Sequence, residues 1–211
     1  MQVTGSNNTS LSTSRLSIRI AGGQSLHSEE LDALAKAKRV ELTLCGPVVA
    51  TYPKELAEEI DFAAMLLTHG ITPNEESAII HFGDSRSVGY VALISKSLEK
   101  VILAERAAGK DITITTPLEA CVKRAVVATK RAKNIYLHIE DDMAYVAYAE
   151  NMRLHYAEVV PTAKESELIN LLALLNKDFD LKKAQFTLTG KDGKRYYKCL
   201  KRYFRRVELV K

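Results

Sequence analysis

Residues 134–160 read NIYLHIEDDMAYVAYAENMRLHYAEVV. Three runs rich in β-branched and aromatic residues, Asn134–Glu140, Met143–Ala149 and Met152–Val160, are separated by Asp141-Asp142 and Glu150-Asn151. Asp and Asn tolerate the left-handed backbone that two-residue hairpin turns require, so the stretch predicts three antiparallel strands joined by tight turns. Downstream, Lys164–Lys177 carries Leu168, Ile169, Leu171, Leu172 and Leu175 at helical spacing. Gln185–Thr189 predicts a strand and Gly190-Lys191-Asp192-Gly193 a turn. Lys194–Phe204 predicts a basic amphipathic helix, and Val207–Val210 a last strand. The order is three strands, then helix, strand, helix, strand.

Working back from Asn134 gives a less regular pattern. Leu16–Ile20 alternates apolar and polar residues and predicts a strand, broken by Gly22-Gly23. Leu26–Lys38 predicts a helix with Ser28 as its cap. Val40–Leu44 and Val48–Tyr52 predict strands, and Lys54–His69 one amphipathic helix closed by Gly70. Ser77–Phe82 and Val88–Ile94 predict a hairpin. Ser97–Ala108 predicts a helix capped by Ser97, Asp111–Thr115 a strand, and Pro117–Ala132 a helix with proline in its first turn. Residues 1–14 are rich in Ser, Thr, Asn and Gly and predict a flexible N-terminus. Two α/β lobes follow, 15–132 and 133–211.

Composition excludes several classes. The 211 residues suffice for one large or two small domains. No apolar run approaches the roughly 18 residues of a membrane helix, and no signal peptide is visible, so the expectation is a cytoplasmic chain without membrane insertion. Cys45, Cys121 and Cys199 are odd in number and lack CxxC spacing, which argues against disulfides or zinc. His27, His69, His81, His138 and His155 show no HxH or HxxxH spacing, so no metal site is expected, although His138 and His155 could face each other across neighbouring strands.

The element order resembles the actin-like ATPase superfamily, which includes sugar kinases and actin and is built by doubling a ribonuclease-H-like unit. Val48-Val49-Ala50-Thr51-Tyr52-Pro53-Lys54-Glu55-Leu56 is similar to the strand–proline–helix segment of a bacterial family of uncharacterised proteins with that fold. Asn151-Met152-Arg153-Leu154-His155-Tyr156 is similar to its third strand, and the helix from Glu165 with Phe186-Thr187-Leu188-Thr189-Gly190 is similar to its tail. The layout is also similar to the actin-like platform domains of pilus and type II secretion systems. Their first lobe carries a substituted subdomain, expected here within residues 53–132. The resemblance implies an α/β protein of two ribonuclease-H-like lobes, an actin-like ATPase fold with a degenerate first lobe.

The resemblance also says where nucleotide would sit. Active members place Asp-x-Gly-Thr/Ser at the first hairpin of each lobe, so that turn N–H groups and hydroxyls hold phosphate while the aspartate orients magnesium. The first-lobe counterpart here is Ala21-Gly22-Gly23-Gln24-Ser25, with no acid before the glycines. The second is Glu140-Asp141-Asp142-Met143, with acids and no glycine. The adenosine motif, an apolar strand ending in Gly-Gly, becomes Gly190-Lys191-Asp192-Gly193. Gly22, Gly23, Ser25, Asp141, Asp142, Gly190 and Gly193 are therefore the candidate nucleotide-binding residues. Their departures from the motifs predict a chain that does not hydrolyse ATP, has no catalytic residue and needs no cofactor. The alternative is an ATPase using ATP with magnesium.

Two further chemistries remain. Glu140, Asp141, Asp142 and Glu158 are the carboxylates a two-metal nuclease would use, but Glu140 sits at a strand end rather than inside the strand. The last helix offers Lys194, Arg195, Lys198, Lys201, Arg202 and Arg205 among tyrosines, a pattern that can hold phosphate backbones and stack bases. The same spacing would also make a solvated basic face, with Tyr196, Cys199, Leu200 and Tyr203 turned to the core. The leading expectation is a scaffold or binding protein with an unknown protein partner; nucleic-acid binding is the further alternative.

Overall fold

The computed structural model describes residues 3–5, 15–21, 24–83, 85, 87–127 and 133–210. The expected flexible segment and Gly22-Gly23 lie mostly or wholly outside them. Contacts divide the chain into Met1–Thr116 and Pro117–Lys211.

In the first unit, β1 (Val3–Gly5) pairs antiparallel with β2 (Arg15–Ala21). Helix α1 (Ser28–Lys36) follows, then β3 (Arg39–Cys45), β4 (Val49–Pro53), α2 (Phe62–Thr68), β5 (Ser77–Phe82), β6 (Val88–Ser95), α3 (Lys96–Ala107) and β7 (Asp111–Thr115). Strands β2, β3 and β7 run parallel in a four-stranded sheet of order β1-β2-β3-β7. The alternation read from the sequence is the cause of its register. Leu16, Ile18 and Ile20 lie opposite Val40, Leu42 and Leu44, and all six are buried on one face.

Between β3 and β7 the chain builds a second, three-stranded antiparallel sheet of order β4-β6-β5. Tyr52, Leu66, Ile71 and Val91 form its core. The single helix expected over Lys54–His69 is instead a 3₁₀ turn, Lys54–Leu56, followed by the separate helix α2. Asp61 makes the break, because its carboxylate accepts the N–H groups of Ala63 and Ala64 and starts a new helix there. Two expected caps also move. His27 rather than Ser28 occupies the cap position of α1, where its N–H donates to the buried Glu30 side chain. Ser95 rather than Ser97 caps α3, accepting the Leu98 N–H at 3.3 Å.

The second unit opens with α4 (Pro117–Val127), then β8 (Lys133–Glu140), β9 (Met143–Glu150), β10 (Arg153–Pro161), α5 (Glu165–Phe179), β11 (Gln185–Thr189), α6 (Gly193–Leu200) and β12 (Val207–Leu209). Helix α4 packs on β8, β9 and β10 and so belongs with this unit, whereas the sequence division fell after residue 132. The sheet order is β10-β9-β8-β11-β12, antiparallel across β10-β9-β8 and parallel across β8-β11-β12.

Both faces of this sheet are covered, and the sequence shows why. Ile135, Leu137 and Ile139 of β8, with Val146, Tyr148, Phe186 and Leu188, meet Leu168, Leu172 and Leu175 of α5 and Tyr196 and Leu200 of α6. The alternate residues of β8 and β9 lie on the side of α4, so β9 is buried along nearly its whole length. The β8–β9 turn is Asp141-Asp142, with φ of 51° and 57°, the pair of left-handed residues that a two-residue hairpin needs. The β9–β10 turn is Asn151-Met152, one residue later than expected. Glu150 stays in the ladder, where it pairs with Lys133 of β8 and accepts the Tyr148 hydroxyl.

Candidate functional site

The fold brings the β8–β9 turn beside the β11–α6 loop, so Asp141, Asp142, Gly190 and Gly193 converge as the resemblance implies. The chemistry at that point differs from a phosphate cradle. The Asp141 N–H donates to Asp192 Oδ2 at 3.0 Å. The Lys191 ammonium forms a short ion pair with Asp141 Oδ1, and this bond raises the lysine's pKa above its ordinary value. The turn N–H thus holds the Asp192 carboxylate and the Asp141 carboxylate holds the Lys191 ammonium, in the places the resemblance would give to a phosphate oxygen and to magnesium.

The two glycines are explained by close packing, of backbone at Gly190 and of a side chain at Gly193. Gly190 has φ +90°, and a Cβ there would lie 2.3 Å from the Ile139 carbonyl oxygen. The Asp192 N–H donates to that same oxygen at 3.1 Å, which ties the loop to the end of β8. Gly193 opens α6, where a Cβ would come 3.2 Å from Leu209 Cδ1. Asp142 contributes its carbonyl, which accepts the Thr162 N–H at 2.7 Å.

In the first unit, β2 leads to α1 rather than to a returning strand, so Ser25 lies in a strand-to-helix segment instead of a hairpin turn. Its hydroxyl bonds Ser97 Oγ at 2.8 Å and lies 3.5 Å from Ser95 Oγ, at the start of α3. Gly22 and Gly23 lie outside the described residues.

The other constellations separate. Among the described residues no three His, Cys, Asp or Glu side chains are grouped to hold a metal. Glu158 takes a short hydrogen bond from the Tyr156 hydroxyl, and Glu140 Oε2 lies 3.3 Å from His138 Nε2, so the four nuclease carboxylates have divergent partners. His138 and His155 do not face each other. His138 Nδ1 bonds Thr189 Oγ1 at 3.0 Å, while His155 packs against Tyr148 and Phe179. No described helix is long and apolar enough to cross a membrane.

Lys194, Arg195, Lys198, Lys201, Arg202 and Arg205 are all exposed on α6 and the turn after it. Arg195 Nε pairs with Glu165 Oε1 at 3.3 Å, and the Lys201 ammonium lies 4.8 Å from the centre of the Tyr197 ring. Tyr196 and Leu200 are buried as expected, but Tyr203 is 60% exposed and Phe204 takes the inward place. Helix α6 ends at Leu200, whose carbonyl accepts from both Tyr203 and Phe204, so Phe204, four residues on from Leu200, stays on the inward face set by Tyr196 and Leu200.

No family model and no curated protein sequence matches the chain. Among solved structures it is similar to a protein of actin-like ATPase fold and unknown function from Bacteroides thetaiotaomicron. That match has TM-score 0.69 and 18% identity, over 85% of this chain and 71% of the other. It is also similar to the PilM–PilN type IV pilus biogenesis complex, at TM-score 0.50 and 13% identity over 86% and 73% of the chains. A third likeness is the cytoplasmic domain of EpsL, an inner-membrane component of the Vibrio cholerae type II secretion system, at TM-score 0.39 and 12% identity over 93% and 85%. The chain has the actin-like ATPase fold. Within it, its structural neighbours include a protein of unknown function and a type IV pilus biogenesis complex, in line with the sequence resemblance.

The sequence reading missed Lys191 and Asp192 as the residues that complete the second-unit turn. The available signal was the Lys-Asp pair between two glycines, a charged insertion into a motif that otherwise presents bare backbone.

Proposed function

We propose that the protein is a non-hydrolysing actin-like-fold scaffold that acts by binding another protein and needs no nucleotide. The observation that carries this reading is the Asp192 carboxylate on the Asp141 N–H, with Lys191 on the Asp141 carboxylate. To admit Mg-ATP, an anionic phosphate would have to displace an intramolecular carboxylate, and magnesium would have to displace an intramolecular ammonium. The first replacement loses an intramolecular hydrogen bond and the second an intramolecular ion pair, neither of which costs translational entropy to form. The PilM–PilN complex supports the partner part of the reading, since there a protein of this fold class is held in an assembly with another protein.

Phosphate release from Mg-ATP tests the catalytic half. The wild type is expected to release phosphate no faster than the Asp141→Ala variant, both at the no-protein rate. A wild-type rate that the substitution abolishes would establish an ATPase and reject the scaffold reading.

A further inference from the structure

Residues 194–206 hold seven Lys and Arg and no Asp or Glu. Arg195 is paired with Glu165, but among the described residues Lys194, Lys198, Lys201, Arg202, Arg205 and Arg206 make no ion pair. All six are exposed, on α6 and the turn after it. Lys194, Lys198 and Arg202 follow one another at four-residue spacing, and Lys201 precedes Arg205 at the same spacing. The helical phase carries past Leu200, because the Lys201 N–H bonds the Tyr197 carbonyl and the Phe204 N–H bonds the Leu200 carbonyl, each four residues back. The cations therefore form one stripe, with successive members about 6 Å apart along its length. Like charges at this spacing repel and weaken a helix. The nearest acids along the chain offer no relief. Asp192 is bonded to the Asp141 N–H, and Glu208, on β12, pairs with none of these cations.

Two features select the anion that fits. Tyr203, 60% exposed, stands among the cations, and an exposed aromatic ring beside cations stacks on an unpaired base while the cations meet phosphates. In a duplex the bases stack on one another and leave the ring no face. The apolar side of the same segment, Tyr196, Leu200 and Phe204, is buried in the core of the second unit. A helix whose apolar side is packed on its own sheet has none to bury in a bilayer, as membrane-surface helices do.

We propose that the α6 stripe binds single-stranded nucleic acid, with its cations on successive phosphates and Tyr203 stacked on a base. This goes beyond the scaffold reading and stands without it, because Asp141, Lys191 and Asp192 take no part.

Fluorescence anisotropy of a labelled single strand of about 20 nucleotides and mixed sequence, with the full chain, tests the proposal. At about 50 mM salt the wild type is expected to bind with a Kd of about 1–100 µM, the range for contacts made to phosphate without reading sequence. With three or four phosphates held, binding should weaken by about 20–50-fold between about 50 and 200 mM salt, a log–log slope of about −2 to −3. Lys198→Gln with Arg202→Gln should weaken binding and make that slope shallower by about 1.4. Tyr203→Ala should weaken binding by about fivefold or more at an unchanged slope, and Tyr203→Phe should keep it. Lys100→Gln with Lys177→Gln, which removes two exposed cations elsewhere, should leave Kd within about twofold. Far-UV circular dichroism checks that each chain folds. The single substitution Arg205→Gln, expected to make the slope shallower by about 0.7, keeps the test decisive if the double variant does not fold. No anisotropy change at about 100 µM protein and about 50 mM salt would overturn the proposal. So would binding that the Lys198 and Arg202 substitutions weaken no more than the Lys100 and Lys177 substitutions do, or a duplex of the same sequence bound as tightly as the single strand. Capture of the chain by vesicles of about 30% phosphatidylserine, with the single strand left unbound, would also overturn it and assign the surface to lipid headgroups.

Discussion

Gly190→Ala is expected to destabilise the second unit by about 2–5 kcal/mol. About 1–2 kcal/mol comes from forcing a side chain into the left-handed backbone region, and about 1–3 kcal/mol from overpacking. At this position the overpacking acts on backbone rather than on a flexible side chain: the new Cβ would meet the Ile139 oxygen at 2.3 Å and its nitrogen at 2.8 Å. Relief requires the β11–α6 loop to lift from the end of β8, which also breaks the Asp192 N–H bond to Ile139 and moves Asp192 away from Asp141. Chemical denaturation of the variant measures the loss. A change below about 0.5 kcal/mol, the range of ordinary surface substitutions, would show that the loop does not hold this close approach.

Phe186→Ala is expected to cost about 3–5 kcal/mol, the range for truncating a fully buried aromatic ring. Phe186 has no exposed surface, stands on β11 between β8 and β12, and packs its ring 4.2 Å from that of Phe204. Phe204 lies in the turn just after α6, so the cavity would also loosen the turn that carries the basic surface. For a chain of this size each kcal/mol lowers Tm by about 2–4 °C, so the midpoint of the second unit should fall by about 6–20 °C. A conservative Phe186→Leu should lose much less, which separates the cavity effect from loss of the ring stacking.

The second unit was legible because its signals are local. Asp141-Asp142 supplies turn chemistry that fixes the β8–β9 register, and Leu168, Leu172 and Leu175 mark the buried face of α5 within a single helix. What the sequence did not disclose depends on distant partners. Asp141 and Lys191 are 50 residues apart, and nothing near either position says that they pair. The placement of α4 depends on which sheet its apolar face meets, and both sheets offer apolar residues. The split of Lys54–His69 was lost for a different reason. Asp61 falls within an otherwise continuous apolar periodicity, where a capping role competes with a place on the solvated face of a longer helix. At the candidate site the close approach of Gly190 to the Ile139 backbone likewise depends on a distant partner that the local sequence does not name.

The central claim is that Lys191, Asp141 and Asp192 take for themselves the charges that a nucleotide would use. A thermal-unfolding scan with and without millimolar Mg-ATP tests it most directly. Ligand at 100 times its Kd would stabilise the folded chain by about 2.7 kcal/mol, a shift of about 5–10 °C. The account predicts the same midpoint with and without Mg-ATP. A shift of that size, lost in the Asp141→Ala variant, would contradict it and show that nucleotide displaces the internal pair.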